Sequence, residues 1–297
     1  MSGQLIECVP NFSEGRVPVR VAAIRQAIAQ VPGVLVLKSE MDPDHHRSVI
    51  TFAGPPTAVV EGAFQSIRQA AQILDLREHT GVHPRMGAAD VIPLVPVEGI
   101  SLADCASLAH ELGERVWREL RVPVYFYEAA AREPARVRLE NVRRGGFENP
   151  NLPPDLGGPG LHPTAGAVII GARKFLIAFN INLNTGDVSV AKAIARKIRT
   201  SSGGMPHVKA LGLLLGSRGL AQVSMNLTDF EVTPLHTVFE RVCQEAAAFG
   251  VGIAGSEIIG LVPKKALEMA AAHFLKVEHF HHAAVFENRL AEAQQVE

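Results

Sequence analysis

The stretch TGVHPRMGAAD, residues 80–90, holds an imidazole and a guanidinium in a segment whose glycine and proline content is typical of a connection. The proline after His83 biases its backbone towards an extended conformation, so the imidazole projects from a stiffened loop. The flanking glycines let a ligand approach the backbone closely, and Arg85 can donate two hydrogen bonds to a carboxylate. These residue types suit proton transfer beside a bound anion. A structural histidine in a tight turn is the alternative.

A second cluster of the same residue types is SEMDPDHHRSV, residues 39–49. A carboxylate such as Glu40 could orient an imidazole and raise its pKa, which favours proton transfer near neutral pH. Arg47 could then meet an anion, and His45 and His46 are the neighbouring imidazoles. A solvated acidic turn is the simpler interpretation of the same residues.

Two further segments complete the candidates. Arg173 and Lys174 form a basic turn between two apolar runs, which is either a carboxylate site or a solvated turn. Residues 145–166 are rich in Gly and Pro and predict a loop of a length that is usually functional or disordered. The chain has no P-loop, and GGPG does not match a dinucleotide-binding fingerprint, so nucleotide binding is not supported.

The elements that must position these residues alternate between strand-like and helix-like patterns without strict βαβ order. Adjacent strand-like runs indicate antiparallel neighbours, and the stretch 167–183 is expected to form a pair of strands with a turn at 171–174. We therefore predict an α+β, two-layer architecture in two domains, 1–180 and 181–297. One short internal echo, VIPLVPVEG and IIGLVPKKA, is too brief to establish a duplication.

Composition limits the class of protein. A net charge of −1 argues against nucleic acid or an anionic membrane as the main partner. The three cysteines are scattered without ligand spacing, which indicates reduced thiols and no zinc site. Apolar runs are too short to span a bilayer and the N-terminus has no secretory pattern, so we expect a cytoplasmic protein.

Six long stretches, in order through nearly the whole chain, resemble the formiminotransferase family. They are ECVPNFSEGR, HRSVITFAGPP, GVHPRMGAADVIPLVPV, LHPTAGAVIIGARKFLIAFNINL, LAQVSMNLTDFEVTPLH and GSEIIGLVPKKAL. The chain departs from the family pattern at Glu40, where Asp is common, at His46, where Asn is common, and at DLGGP before the LHPTAG stretch.

The resemblance implies two α+β subdomains, each a two-layer α/β sandwich with a mixed sheet of the ferredoxin-like type, in a homodimer. It implies transfer of the formimino group of N-formimino-L-glutamate to N5 of tetrahydrofolate, a co-substrate bound in a tunnel between the subdomains. The general base falls on His83, with Glu40 as its carboxylate, and no metal is required. Arg47, Arg85, Arg173 and Lys174 are candidates for the substrate carboxylates. The folate-contacting segment falls on Gly157, Gly158, Pro159, Gly160, Leu161, His162, Pro163, Thr164, Ala165 and Gly166.

Two other functions remain open from the sequence. One is transfer or rearrangement of a formyl group, with N-formylglutamate as donor or 5-formyltetrahydrofolate as substrate. The other is a folate-binding protein without catalysis, which has no need of a base in an HPRMG stretch.

Overall fold

A computed structural model of the chain describes residues 3–43, 45–80, 85–216 and 218–294. It divides into two compact units, Ser2–Arg173 and Lys174–Glu297. The division lies a few residues before the boundary expected near Asn180, because Ile177–Leu183 is one continuous strand of the second unit. His83 lies outside the described residues.

The first unit is a mixed sheet with its three long helices on one face. Its strands are β1 (Leu5–Cys8), β2 (Asn11–Phe12), β3 (Leu35–Asp42), β4 (Arg47–Gly54), β5 (Ala89–Glu98), β6 (Val124–Glu128) and β7 (Val168–Ala172). Its helices are α1 (Pro18–Ala29), α2 (Pro56–Ile73), α3 (Leu102–Leu120) and the one-turn α4 (Leu139–Val142). The strand order is β3-β4-β1/β2-β5-β7-β6, antiparallel up to β5 and parallel from there to β6.

Alternation along the strands separates two apolar layers of this unit. Ile92, Phe126 and Ile170 belong to the main core with buried residues of α1, α2 and α3. Their neighbours Val91, Tyr125 and Ile169 lie in a second cluster with side chains of α4 and the long loop. Successive strand residues point to opposite faces, so β5, β7 and β6 are covered on both faces, as parallel strands usually are.

The second unit is a four-stranded antiparallel sheet. Its strands are β8 (Ile177–Leu183), β9 (Val208–Leu215), β10 (Leu220–Leu227) and β11 (Ile253–Ile259), in the order β11-β8-β10-β9. Its helices are α5 (Val188–Ile198), α6 (Leu235–Ala248), α7 (Lys264–Phe274) and α8 (Phe286–Gln294). The chain order β8-α5-β9-β10-α6-β11 with this strand order is the ferredoxin-like arrangement.

The predicted α+β, two-layer class is confirmed in both units, with two differences. The second sheet is antiparallel where a mixed sheet was expected. The stretch 167–183 does form two strands, but β7 pairs with β5 and β6 while β8 pairs with β10 and β11. They are not partners, because each finds its hydrogen bonds in the sheet of its own unit.

The remaining expectations concern cysteines and apolar helices. Cys8 and Cys105 are buried, Cys243 is half-buried, and all three are free. No helix within the described residues is both long and apolar enough to cross a membrane.

Candidate active site in the N-terminal unit

Three stretches that are far apart in the sequence meet beside β5. The Ser13 N–H donates to the Ala88 carbonyl at 2.9 Å, and its hydroxyl donates to the Gly87 carbonyl at 2.8 Å. On the other side, the Ala88 N–H donates to the Ala165 carbonyl at 2.9 Å. The stretches ECVPNFSEGR, HPRMG and LHPTAG are therefore joined through backbone hydrogen bonds.

Gly166 explains how closely the loop approaches the residues before β5. Its φ is +69°, in the region that favours glycine, and it forms an isolated bridge with Gly87. A Cβ atom at this position would overlap the Met86 carbonyl oxygen and lie 2.7 Å from Leu76 Cδ1. The two motifs can meet here only because residue 166 has no side chain.

The long loop is held at other points too. The Asp155 N–H donates to the Val124 carbonyl at 2.8 Å, and the Val124 N–H donates to the Leu156 carbonyl at 2.9 Å. His162 Nδ1 accepts the Ala165 N–H at 3.0 Å, so this imidazole organises the turn that it begins. The loop is an ordered cover of β6 and β7 and not a free linker.

Next to this junction lies a small cavity with a polar lining. The described residues that line it are Asn11, Phe12, Ser13, His45, His46, Arg47, His79, Arg85 and Asp90. It thus takes residues from the first motif, from the β3–β4 connection and from both sides of residues 81–84.

Asp90 fixes the backbone before β5 and balances nearby arginines. It is 3% exposed, and its Oδ1 accepts the Met86 N–H at 2.7 Å and the Gly87 N–H at 3.3 Å. Its Oδ2 forms an ion pair with Arg143. Because one carboxylate holds two amides and a guanidinium, it fixes the backbone at Met86 and Gly87.

Arg47 is the cation best placed for an anionic ligand. Burial lowers its pKa to about 10, and the positive charge of Arg143 acts in the same direction while Asp90 and Asp42 oppose it. The guanidinium stays charged at neutral pH and lines the cavity, so it can donate hydrogen bonds to a carboxylate.

Glu14 anchors the other side of the cavity. It is 1% exposed, and its oxygens accept the N–H groups of Arg16 and Val17 at 2.9 and 3.0 Å and the Arg20 guanidinium at 3.1 Å. Burial alone would raise the pKa of Glu14, but these hydrogen bonds outweigh it and the pKa is lowered. The residue is therefore a carboxylate that accepts hydrogen bonds.

Two imidazoles are stacked beside it. The rings of His46 and His79 are parallel within 8°, with centroids 4.2 Å apart. His46 Nε2 is 3.2 Å from Glu14 Oε1, and His79 Nε2 is 2.9 Å from the His46 carbonyl oxygen. Burial is the main cause that lowers the pKa of both histidines, so both rings are neutral at pH 7.

Glu40 lies apart from the described lining of the cavity. It is half-buried on β3, at the edge of the sheet, and pairs with Lys38 at 2.8 Å. Its role as the carboxylate partner of His83 stays a prediction, since His83 lies outside the described residues.

The predicted carboxylate-binding cations occupy different surroundings. Arg47 and Arg85 line the cavity. Arg85 donates to Glu148 at 2.7 Å and to the His79 carbonyl at 3.2 Å, so part of its donor capacity holds the loops together. Arg173 hydrogen-bonds Tyr127, whose pKa burial raises to about 12. Lys174 belongs to the second unit, where it pairs with Asp229 at 2.6 Å.

Sequence reasoning missed several residues of the site. Glu14 and Asn11 lie inside the quoted ECVPNFSEGR, and Asp90 ends the quoted TGVHPRMGAAD, so their signal was the motif itself. His79 had no local signal, because what marks it is burial against His46. Among the described residues, no group of three His, Cys, Asp or Glu side chains could hold a metal ion.

Comparison with known proteins decides the family. The model of the formiminotransferase domain, N-terminal subdomain, matches residues 5–173, and the model of the formiminotransferase domain matches residues 178–293. This chain belongs to the formiminotransferase family. The two matched ranges coincide closely with the two units of the structure.

Individual members of the family are similar over almost the full length. Glutamate formimidoyltransferase of Thermoplasma acidophilum is 45% identical over 99% of this chain and 99% of its own. The Streptococcus pyogenes serotype M1 protein of the same name is 41% identical over 97% of this chain and 99% of its own. Formimidoyltransferase-cyclodeaminase of Rattus norvegicus is 46% identical over 93% of this chain and 53% of its own.

Proposed function

We propose that this chain is a glutamate formimidoyltransferase. It moves the formimino group of N-formimino-L-glutamate to N5 of tetrahydrofolate and releases 5-formimidoyltetrahydrofolate and L-glutamate. The observation that carries the proposal is the junction of three family motifs beside one cavity that holds Arg47, Asp90 and two neutral imidazoles.

The reaction requires two proton movements. N5 of tetrahydrofolate attacks the formimino carbon and gives a tetrahedral intermediate. This intermediate collapses to product when the attacking nitrogen loses a proton and the departing glutamate nitrogen gains one. One imidazole can carry out both transfers, a role worth about 10² to 10⁴ in rate, and holding both substrates side by side adds a proximity advantage.

His83 is the proposed base. Its neighbours on both sides are held by described contacts: Asp90 binds the backbone at Met86 and Gly87, and His79 binds the His46 carbonyl. An imidazole at this position of the motif can act as the base that the reaction needs. Glu40 is proposed as its carboxylate partner, which requires Glu40 to exchange its present ion pair with Lys38.

Arg47 is proposed to bind a glutamate carboxylate, with Arg85 supporting it and Arg173 and Lys174 as further candidates. The segment Gly157–Gly166 is proposed to contact tetrahydrofolate. Gly160 supports this, because among the described residues, its two chain neighbours apart, no atom lies within 4 Å of the position that a Cβ would take there. No metal is needed for the proposed chemistry. A homodimer and a cytoplasmic location remain predictions from the sequence.

The test is an assay of the purified chain with tetrahydrofolate and either N-formimino-L-glutamate or N-formyl-L-glutamate. We expect 5-formimidoyltetrahydrofolate from the first donor and a kcat/KM about 10³ lower for the second, because a site that presents acceptors disfavours a carbonyl. Equal values for the two donors, or no transfer from either, would contradict the proposal.

The role of His83 is tested separately with His83→Ala. Turnover should fall by about 10² to 10⁴, while tetrahydrofolate affinity should stay within roughly threefold because the base acts mainly on the transition state. Substantial activity in a folded His83→Ala protein would remove the residue from the mechanism and leave the family assignment unaffected.

A further inference from the structure

Three hydrogen-bond acceptors in the cavity lack a donor within the described part of the chain. They are Asn11 Oδ1, His46 Nδ1 and His79 Nδ1, and each atom is buried. Buried polar atoms in folded proteins are almost always hydrogen-bonded. A set of three in one cavity therefore indicates a ligand that brings N–H groups.

The protonation of His79 follows from its one hydrogen bond. A carbonyl oxygen can only accept, so the contact of 2.9 Å with the His46 carbonyl requires the proton on Nε2. The other nitrogen of a neutral imidazole is then an acceptor. His79 is 8% exposed, so Nδ1 cannot exchange freely with water.

His46 and Asn11 are also fixed by one hydrogen bond each. His46 Nε2 faces the Glu14 carboxylate at 3.2 Å, so its proton is on Nε2 and Nδ1 is an acceptor. Asn11 Nδ2 donates to the Val9 carbonyl at 2.9 Å, which assigns the remaining amide atom as the oxygen. In each of the three side chains, the hydrogen bond already made leaves one further polar atom, and that atom is an acceptor.

We propose that His79 Nδ1, together with His46 Nδ1 and Asn11 Oδ1, accepts the N–H groups of the donor's formimino end. This inference rests on the proposed function and adds to it the residues that select the donor. A formimino group is cationic near neutral pH and carries N–H donors, whereas a formyl group presents only a carbonyl oxygen. Neutral acceptors can accept the N–H groups of a formimino group. They would place their lone pairs against the carbonyl oxygen of a formyl group, which is unfavourable.

The arrangement also separates this role from that of the arginines. Both donors carry the same two carboxylates, so Arg47 binds them equally and cannot choose between them. Selection must come from groups that contact the transferred end. His79, which the sequence did not single out, is the most deeply buried imidazole of the cavity.

A matched pair of substitutions tests His79. His79→Gln can still donate to the His46 carbonyl through its amide nitrogen but has no acceptor at the Nδ1 position. His79→Asn keeps an acceptor near that position and loses the donor. We expect kcat/KM for N-formimino-L-glutamate to fall about 10- to 100-fold in His79→Gln. In His79→Asn the fall should be smaller by a factor of about five or more.

N-formyl-L-glutamate is the second probe, used as a competitor at fixed formimino donor. Its inhibition constant should change by less than about threefold in His79→Gln, because its transferred end carries a carbonyl oxygen where the formimino donor carries an N–H group. A parallel loss of affinity for both compounds would assign His79 a structural role only. The reverse order of the Gln and Asn variants would also overturn the inference.

His110→Gln is the control in the same unit. His110 Nε2 makes an equivalent bond to the Ala130 carbonyl at 2.8 Å, outside the described lining of the cavity. Both constants should match those of the unsubstituted protein. A loss there as large as in His79→Gln would mean that any such histidine affects the fold, and would overturn the inference.

Binding of formamidinium and N,N-dimethylformamide to the unsubstituted protein keeps this inference separate from the proposed function. Nitrogen NMR of isotope-labelled histidine reports the lone pair of His79 Nδ1 directly. Formamidinium should shift this signal and N,N-dimethylformamide, which has a carbonyl oxygen but no N–H group, should not, even in a protein that transfers no formimino group. An unchanged signal with active enzyme would refute the acceptor role and leave the proposed function standing.

Discussion

The two units share the same order of strands and helices, but the first unit adds further elements to it. In the first, β1/β2, α1, β3, β4, α2 and β5 follow one another, and in the second β8, α5, β9, β10, α6 and β11 do so. The strand order is the same in both, with the first strand between the third and the fourth. The first unit then adds α3, β6 and β7, which extend its sheet with parallel strands.

The two units differ more in their buried charged side chains than in their order of strands and helices. The first holds the ion pairs Asp90–Arg143 and Arg136–Asp155, and all four side chains are at most 15% exposed. In the second, the buried aspartate Asp229 pairs with Lys174, which is 50% exposed. Buried charge is costly unless it is balanced. The unit that carries the candidate site is therefore the one whose stability depends on keeping buried charges balanced.

The largest effect expected from this difference is that of Asp90→Ala. Removing the carboxylate leaves Arg143 without its ion-pair partner and takes away one of the two carboxylates that act on Arg47, which should lower the free energy of unfolding by about 3–5 kcal/mol. Asp229→Ala should cost only about 1–2 kcal/mol, because Lys174 can turn to water. Urea denaturation of both variants measures the difference. Equal losses in the free energy of unfolding would mean that the two units do not differ in their dependence on buried charge.

Gly166→Ala should have the next largest effect. A methyl group there meets the Met86 carbonyl and requires a backbone at φ +69°, so we expect a loss of about 2–4 kcal/mol from strain and overpacking together. Gly203→Ala in the second unit is the control for backbone strain alone. Its φ is +81° with no other atom within 4 Å, and about 1 kcal/mol is expected. Similar thermal shifts for the two variants would mean that the contact with Met86 contributes nothing.

Gln222→Leu examines the neutral polar residues of the second unit. Gln222 Nε2 donates to Asn182 Oδ1 at 2.8 Å and to Glu257 Oε1 at 2.6 Å, across three strands. Losing both bonds should cost about 1–3 kcal/mol, and the exposed Gln244→Leu should cost close to nothing. A denaturation midpoint shifted as far as in Asp90→Ala would show that buried amides matter as much as buried charges.

The smallest effect concerns pH and compares two stacked histidine pairs. Burial lowers the pKa of His46 and His79 below the ordinary 6.5, and it also lowers that of His236, which stacks on the exposed His273. Above pH 6.5 these rings are neutral in both the folded and the unfolded chain. As the pH falls through 6.5 the unfolded chain binds protons first, so stability is lost towards acid.

The measurement is the urea midpoint between about pH 7.5 and about pH 5.5. The double variant His46→Asn/His79→Asn should show a shallower loss of stability than the unsubstituted protein. His236→Asn should change the slope less, since it replaces one half-buried ring where the double variant replaces two. An unchanged slope in the double variant would contradict the direction of the two shifts.

Most elements of the fold were predictable because their signals are local. Helix α3 begins after Ser101, whose side chain accepts the Asp104 N–H while Asp104 binds back, a capping box that a sequence displays directly. Strand β8 alternates Phe179, Asn180, Ile181 and Asn182, which is the period of a half-buried strand. The internal echo is weaker evidence. Eight of the nine residues of its first copy lie inside β5, whereas only the first two residues of the second copy lie inside β11.

The candidate site was predictable only in part. The motifs named the right neighbourhood, since Asp90 and Glu14 lie inside quoted stretches. The partner of Asp90 is Arg143, which lies 53 residues further along the chain. No feature of the basic helical stretch that contains Arg143 predicts this contact. His79 was overlooked for the same reason, because its stacking partner is His46 on another connection.

The amino-acid sequence by itself determined the types of the elements, the family, and the presence of imidazole and guanidinium groups in the motif stretches. Each of these depends on residues within a few positions or on the identity of the side chain. Only the tertiary structure decided that β7 and β8 pair in different sheets, that Gly166 lies against Met86, and that His79 is a buried, neutral acceptor. Hydrogen-bond satisfaction and desolvation are set by residues brought together from distant parts of the chain, and no local pattern specifies them.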